Sequence, residues 1–205
     1  GRFSIKQYAY HFYRSKPSLQ TDWSFPINYK DYVFHRSPAH VVALQKLIER
    51  IKPRVVYPLH NAGFSGAYFF STPNMPEQFY DALITLCNTL QIPLDMGEPE
   101  EPFMRAFRKP IYHHLRFADY YKYHTSLHPH LKPEDLFDYG TTSIDFAQQY
   151  DNNVFGLIGE IPYIYDVTIT NSSLTEQTRR QNREEALQLT RENLALISEI
   201  FVLPD

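Results

Sequence analysis

Two residues of this chain stand where chemistry could be done. His60 closes the apolar, β-branched run Arg54-Val-Val-Tyr-Pro-Leu59 and opens onto Asn61 and a loop carrying Gly63 and Gly66. A buried strand that stops at a histidine and a glycine-bearing loop is how an open α/β sheet builds a site at the carboxyl ends of its strands. There an imidazole can bind a metal or act as a catalyst while the backbone stays fixed; the plainer role is a histidine satisfied by hydrogen bonds at a strand end. Glu160 ends a second apolar run, Asn153-Val-Phe-Gly-Leu-Ile-Gly-Glu160, and precedes Ile161-Pro162. A carboxylate beside buried surface suits a general base, against the alternative of a solvated loop glutamate.

Other candidates carry less. His113, His114, His124, His128 and His130 crowd one segment, but no His-Glu-x-x-His pattern runs through it, and neighbours such as His113 and His114 diverge on a helix. Glu98, Glu100 and Glu101 lie in a proline-broken turn and read as a solvated acidic loop. Cys87, the only cysteine, excludes an internal disulfide framework and cysteine-rich zinc modules. Its apolar setting, Ala82-Leu-Ile-Thr-Leu-Cys87, points to a buried structural thiol. No P-loop, dinucleotide glycine signature, nucleophile elbow or kinase signature is present.

The elements that must position these residues follow from periodicity. Ser37-Pro38 starts a helix whose Val41, Val42, Leu44, Leu47, Ile48 and Ile51 recur at helical spacing until Lys52-Pro53 stops it. The strand Arg54–Leu59 follows at once. Pro76 starts a second amphipathic helix reaching about Gln91, with Phe79, Leu83, Leu86 and Leu90 on one stripe. Residues 92–97 predict a short strand, 103–136 a partly helical Tyr- and His-rich stretch, 138–143 a loop, and 153–160 a strand whose glycines imply close backbone approach. Residues 1–36 read as a packed extended segment. From Leu174 a long polar helix runs towards Phe201, with Leu187, Leu194, Ile197 and Phe201 as its buried stripe. Neither a repeat nor a linker interrupts the pattern, so residues 1–205 read as one α/β domain.

Composition narrows the partners. At 205 residues with a net charge of −3 and no basic stripe, nucleic acid is not an expected partner. Sixteen Tyr and 15 Phe can fill a core or line a pocket for a peptide. No apolar run is long enough to span a bilayer, so no membrane partner is expected. The single cysteine is compatible with cytoplasm without requiring it. The chain opens on Gly1, not Met, so an N-terminal segment is expected to be missing.

The segment Pro58-Leu-His-Asn-Ala-Gly-Phe-Ser-Gly-Ala-Tyr68 resembles the strand and loop of zinc carboxypeptidases, the carboxypeptidase A-like metallopeptidases, and in particular their bacterial branch. Phe12-Tyr-Arg14, Trp23-Ser-Phe-Pro26, Met96-Gly-Glu-Pro-Glu100 and Gly156-Leu-Ile-Gly-Glu-Ile-Pro-Tyr163 are similar to segments of that branch in the same order. The likeness spans most of residues 1–166 and implies a mixed sheet flanked by helices. It implies that His60 is a zinc ligand and Glu160 the catalytic base, taking a proton from zinc-bound water and passing it to the leaving amine. It further implies that Tyr139 closes over a peptide substrate, that Ser143 and Asp145 shape side-chain preference, and that Asn61 lies at the substrate site beside His60.

The sequence also departs from that pattern. The family draws its first two zinc ligands from a His-x-x-Glu motif, and none occurs in these 205 residues. A catalytic zinc site needs three protein ligands. The resemblance therefore implies the carboxyl-terminal part of a catalytic domain. The competing expectations are a catalytically inactive relative kept as a peptide- or glycan-binding module, and a different hydrolase using the histidine-rich segment.

Overall fold

The structure, a computed structural model, describes residues 5–63, 65–164, 167–171 and 173–200. Two compact units divide the chain, residues 1–170 and 171–205. The first is α/β, with helices around a mixed six-stranded sheet. Among the described residues no helix is long and apolar enough to cross a membrane.

The first unit opens with helix α1 (Ile5–His11), where the sequence suggested extended chain. Two short 3-10 turns, Pro17–Leu19 and Thr21–Trp23, lead to a hairpin of β1 (Ile27–Tyr29) and β2 (Tyr32–Phe34). Helix α2 (Ala39–Ile51) follows Pro38, whose fixed φ suits a helix entry. It ends where Lys52 turns left-handed at φ 46° and returns its N–H to the Ile48 carbonyl. Of its six apolar positions only Val41 and Ile48 are buried, while Leu44, Leu47 and Ile51 face outwards.

The run after α2 is two short strands rather than one. Tyr57-Pro58 interrupts it, leaving β3 (Val55–Val56) and β4 (Leu59–Asn61), both parallel to the long β8 (Phe155–Ile161). A proline has no N–H for a ladder, which accounts for the break. Nor is this strand buried: Leu59 is 79% and Val55 59% exposed. Next along the sheet, β5 (Tyr68–Ser71) runs antiparallel to β8 and parallel to β7 (Ile111–His113). Strand β6 (Ala106–Arg108) closes that edge. Strands β6 and β7 lie in the stretch read as partly helical; three-residue strands are too short to show a period. The strand expected over 92–97 reduces to one parallel bridge, Ala67 to Leu94.

Helix α3 (Glu77–Thr89) follows Pro76 as expected, but its buried face is rotated: Tyr80 and Cys87 are buried while Leu86 and Leu90 are exposed. Cys87 is a buried free thiol, and burial pushes its pKa up. Helices α4 (Phe117–Leu127), α5 (Pro133–Leu136) and α6 (Ser143–Gln148) complete the unit. An aromatic core of Tyr32, Phe34, Phe117, Tyr121 and Phe137 packs on one part of the sheet, with Phe70, Tyr112 and Ile158. The glycines of β8 do mark close approach: a Cβ on Gly156 would lie 2.5 Å from Ile144 Cγ2.

The second unit holds α7 (Arg179–Ile200), which starts five residues later than Leu174 suggested. Its Leu187, Leu194 and Ile197 are about half exposed, so the expected stripe is not a buried one. Phe201 lies outside the described residues.

Candidate active site

Strand register builds the site. His60 on β4 pairs with Glu160 on β8, and Glu160 pairs with Tyr68 on β5. Paired residues on neighbouring strands point to the same face, so three polar side chains stand abreast across the sheet. His60 Nδ1 lies 2.9 Å from Glu160 Oε1. On its other side, His60 Nε2 lies 2.7 Å from Oδ2 of Asp22, carried by the 3-10 turn Thr21–Trp23. Asp22 is buried, and its Oδ1 accepts the Ser143 backbone N–H at 2.9 Å. At the far end the Tyr68 hydroxyl donates to Glu100 Oε1 at 2.5 Å.

The electrostatics are those of a cation between two anions. Burial opposes protonation of His60, but the hydrogen bonds and charges of Asp22 and Glu160 outweigh it and raise its pKa to about 9. At neutral pH the ring donates from both nitrogens. Burial likewise opposes the charge on Asp22, yet the bonds from His60 and Ser143 hold its carboxyl below the ordinary value. Tyr68 is pushed well up by burial and by the carboxylates of Glu100 and Glu160, so it remains a hydroxyl donor.

The row opens into a cavity of about 1670 Å³. His60, Glu160, Asn61 and Ser143 line it, as do Asp22, Tyr68, Glu100 and His114. Trp23, Met104 and Tyr120 add apolar surface. The sequence marked His60, Glu160, Asn61 and Ser143 as site residues, and the fold brings these four together. Tyr139 and Asp145 stand outside this lining. The Tyr139 carbonyl accepts the Tyr32 hydroxyl at 2.6 Å, and its ring packs on Trp23 and Phe137. The Asp145 carboxylate accepts the Phe117 N–H and the Thr141 hydroxyl, tying α4 to α6.

The sequence does not single out Asp22 or Tyr68 as site residues, and Glu100 reads there as part of a solvated acidic loop. No motif surrounds Asp22, and it stands 38 positions from His60. Tyr68 could have been found by extending alternation from Glu160 to a neighbouring strand. The five clustered histidines do not converge: His114 is buried against Thr142 Oγ1 at 3.3 Å, His113 packs on Phe107 and His124 on Phe137.

A metal-binding histidine commonly gives its other nitrogen to a carboxylate, which fixes the ring; Asp22 stands in that relation to Nε2, leaving Nδ1 beside Glu160. The fit is partial, because Asp22 and Glu160 occupy opposite ring edges. Among the described residues no three His, Cys, Asp or Glu side chains are grouped to hold an ion. No protein-family model matches the sequence, and no curated protein or solved structure matches it.

Proposed function

We propose that this chain carries part of the active site of a zinc-dependent metallocarboxypeptidase, which hydrolyses the terminal peptide bond at the carboxyl end of a peptide. The observation that supports this most is the His60–Glu160 pair, abreast on adjacent strands at 2.9 Å, with Asp22 bracing the far side of the ring. In this reading His60 would hold the metal, its ring giving up a proton to do so. Zinc, when bound, would supply a lowered water pKa and polarisation of the scissile carbonyl. Glu160 accepts the proton of the attacking water and delivers it to the departing amine. Asp22 keeps the imidazole oriented, and the Trp23–Tyr120 side of the cavity receives peptide side chains. The reading requires further ligands besides His60, and no His-x-x-Glu occurs in these 205 residues to supply them.

A second reading is a carboxypeptidase-like module that binds peptide or glycan without turnover. It is favoured by the placement of Asp22 and Glu160 on opposite edges of the His60 ring, where the two carboxylates satisfy both nitrogens. Zinc affinity of the full-length natural protein separates the two. The enzyme reading expects bound zinc that His60→Ala weakens at least tenfold, on the order of the effect of disturbing a metal shell. Zinc binding indifferent to His60→Ala would remove the enzyme reading and leave the module.

A further inference from the structure

The large cavity holds a second histidine, to which hydrolysis gives no task. Phe70 follows Tyr68 by two residues and pairs with Ile158 and Tyr112, so these side chains continue the face that carries the His60–Glu160–Tyr68 row. His114 stands two residues beyond Tyr112, where its backbone N–H still bonds the Ser71 carbonyl at 2.9 Å. The level of Tyr68 and that of His114 are thus four residues apart along the sheet, about 13 Å. Phe70 and Ile158 line the cavity between them, and Met104, Leu115, Trp23 and Tyr120 add further apolar wall.

His114 is only 5% exposed, yet it lines this cavity. Its Nε2 lies 3.3 Å from Thr142 Oγ1, an oxygen that already accepts the Asp145 N–H at 3.1 Å. Among the described residues the Thr142 hydroxyl has no other acceptor, so its proton goes to Nε2. Burial holds the pKa of the ring down to about 4, so at neutral pH it carries one proton, and that proton sits on Nδ1. Among the described residues Nδ1 has no hydrogen-bond partner, and it is not one of their unpaired atoms sealed from solvent. The little surface that His114 keeps therefore includes an N–H donor. A buried donor without a partner points to a ligand that brings the acceptor.

The surroundings narrow that acceptor. Asp145 and Asp22 are the strongest charges acting on the ring, and they oppose an anion beside it. A neutral imidazole that presents its N–H offers a cation no lone pair. A neutral oxygen on an apolar body remains, and the aromatic walls of Phe70, Trp23 and Tyr120 suit a body that is itself a ring. A phenol combines the two. We propose that His114 is a specificity-determining residue of this cavity, selecting peptides with a tyrosine side chain by donating its Nδ1–H to the phenol oxygen. The proposal rests on the reading that the cavity receives peptide, whether or not a bond is then cut.

The test is isothermal titration calorimetry of the full-length natural protein carrying Glu160→Gln, which slows any turnover of the probes. The probes are the N-acetylated tripeptides Gly-Gly-Tyr and Gly-Gly-Phe, which differ only in the phenol hydroxyl. The Tyr peptide should bind about tenfold tighter, the worth of one good hydrogen bond. His114→Gln keeps a polar group for Thr142 and takes away the donor at Nδ1. It should bring the Tyr peptide down to the affinity of the Phe peptide and leave the Phe peptide unmoved; a purely structural role would weaken both alike. The comparison of the two peptides on the unsubstituted His114 needs no folding of that variant. Equal affinities there would overturn the role of His114 and leave the peptide reading standing. A Tyr preference that survives His114→Gln would place the donor elsewhere and overturn the role equally. Binding of neither peptide would sink the peptide reading and the proposal together.

Discussion

Two histidines line the same cavity and have opposite proton chemistry. His60 lies between two carboxylates, and its pKa rises to about 9; His114 is buried with a threonine hydroxyl beside it, and its pKa falls to about 4. Burial works against the charge in both. It wins at His114, where the charges of Asp145 and Asp22 oppose it only from a distance, and loses at His60, where two carboxylates touch the ring. Within one cavity, then, the deeper burial of His114 and the direct hydrogen-bonded partners of His60 together decide which imidazole carries a proton.

The comparison is most severely strained by removing Asp22. Asp22→Ala leaves His60 with one partner and the Ser143 N–H with none, and breaking a buried pair from one side typically costs about 3–5 kcal/mol. Urea denaturation should register a loss of that order, and NMR titration should move His60 towards the behaviour of His114. A loss well under 1 kcal/mol, with the His60 titration unmoved, would mean that Asp22 does not hold the ring.

The pH dependence of stability sharpens the contrast, because the two histidines depart from the ordinary value of about 6.5 in opposite directions. His60 has a raised folded pKa, so its contribution is complete below pH 6.5 and is lost as pH rises to about 9. His114 has a lowered one, so its contribution is complete above pH 6.5 and is lost as pH falls towards 4. Each limb amounts to about 3 kcal/mol by the linkage relation. Without added metal, stability should crest near pH 6.5. His114→Gln should flatten the limb between pH 6.5 and about 4, and His60→Gln the alkaline one; a profile in which His114→Gln flattens the alkaline limb would refute the assignment.

Smaller effects test the scaffold beneath. Gly156→Ala drives a methyl into Ile144 of α6 and should destabilise by about 1–3 kcal/mol, the usual range for overpacking; a neutral thermal shift would show that the strand yields. Tyr68→Phe removes only the bond to Glu100, with an expected loss of about 1 kcal/mol in the same assay. A loss several times larger would imply that Tyr68 also supports the His60–Glu160 pair.

What the sequence made legible divides along physical lines. Helices α2 and α3 could be placed because prolines mark their starts and a 3.6-residue period runs through them. The rotated face of α3 could not, since Leu86 and Tyr80 are equally apolar and only tertiary packing chooses between them. Strand β8 was legible as a long apolar run with glycines, whereas three-residue β6 and β7 carried no period to detect. His60 and Glu160 could be singled out because each ends an apolar run. Asp22 could not, because its role depends on a turn folding back across 38 residues of chain.

The measurement closest to the central proposal is peptide hydrolysis by the full-length natural protein carrying Glu160→Gln. Loss of a general base typically lowers turnover by about 10²–10⁴-fold. Zinc content should stay unchanged, because the substitution keeps the side chain's size and removes only its basicity. Zinc-dependent hydrolysis proceeding at the parent rate in Glu160→Gln would contradict the account.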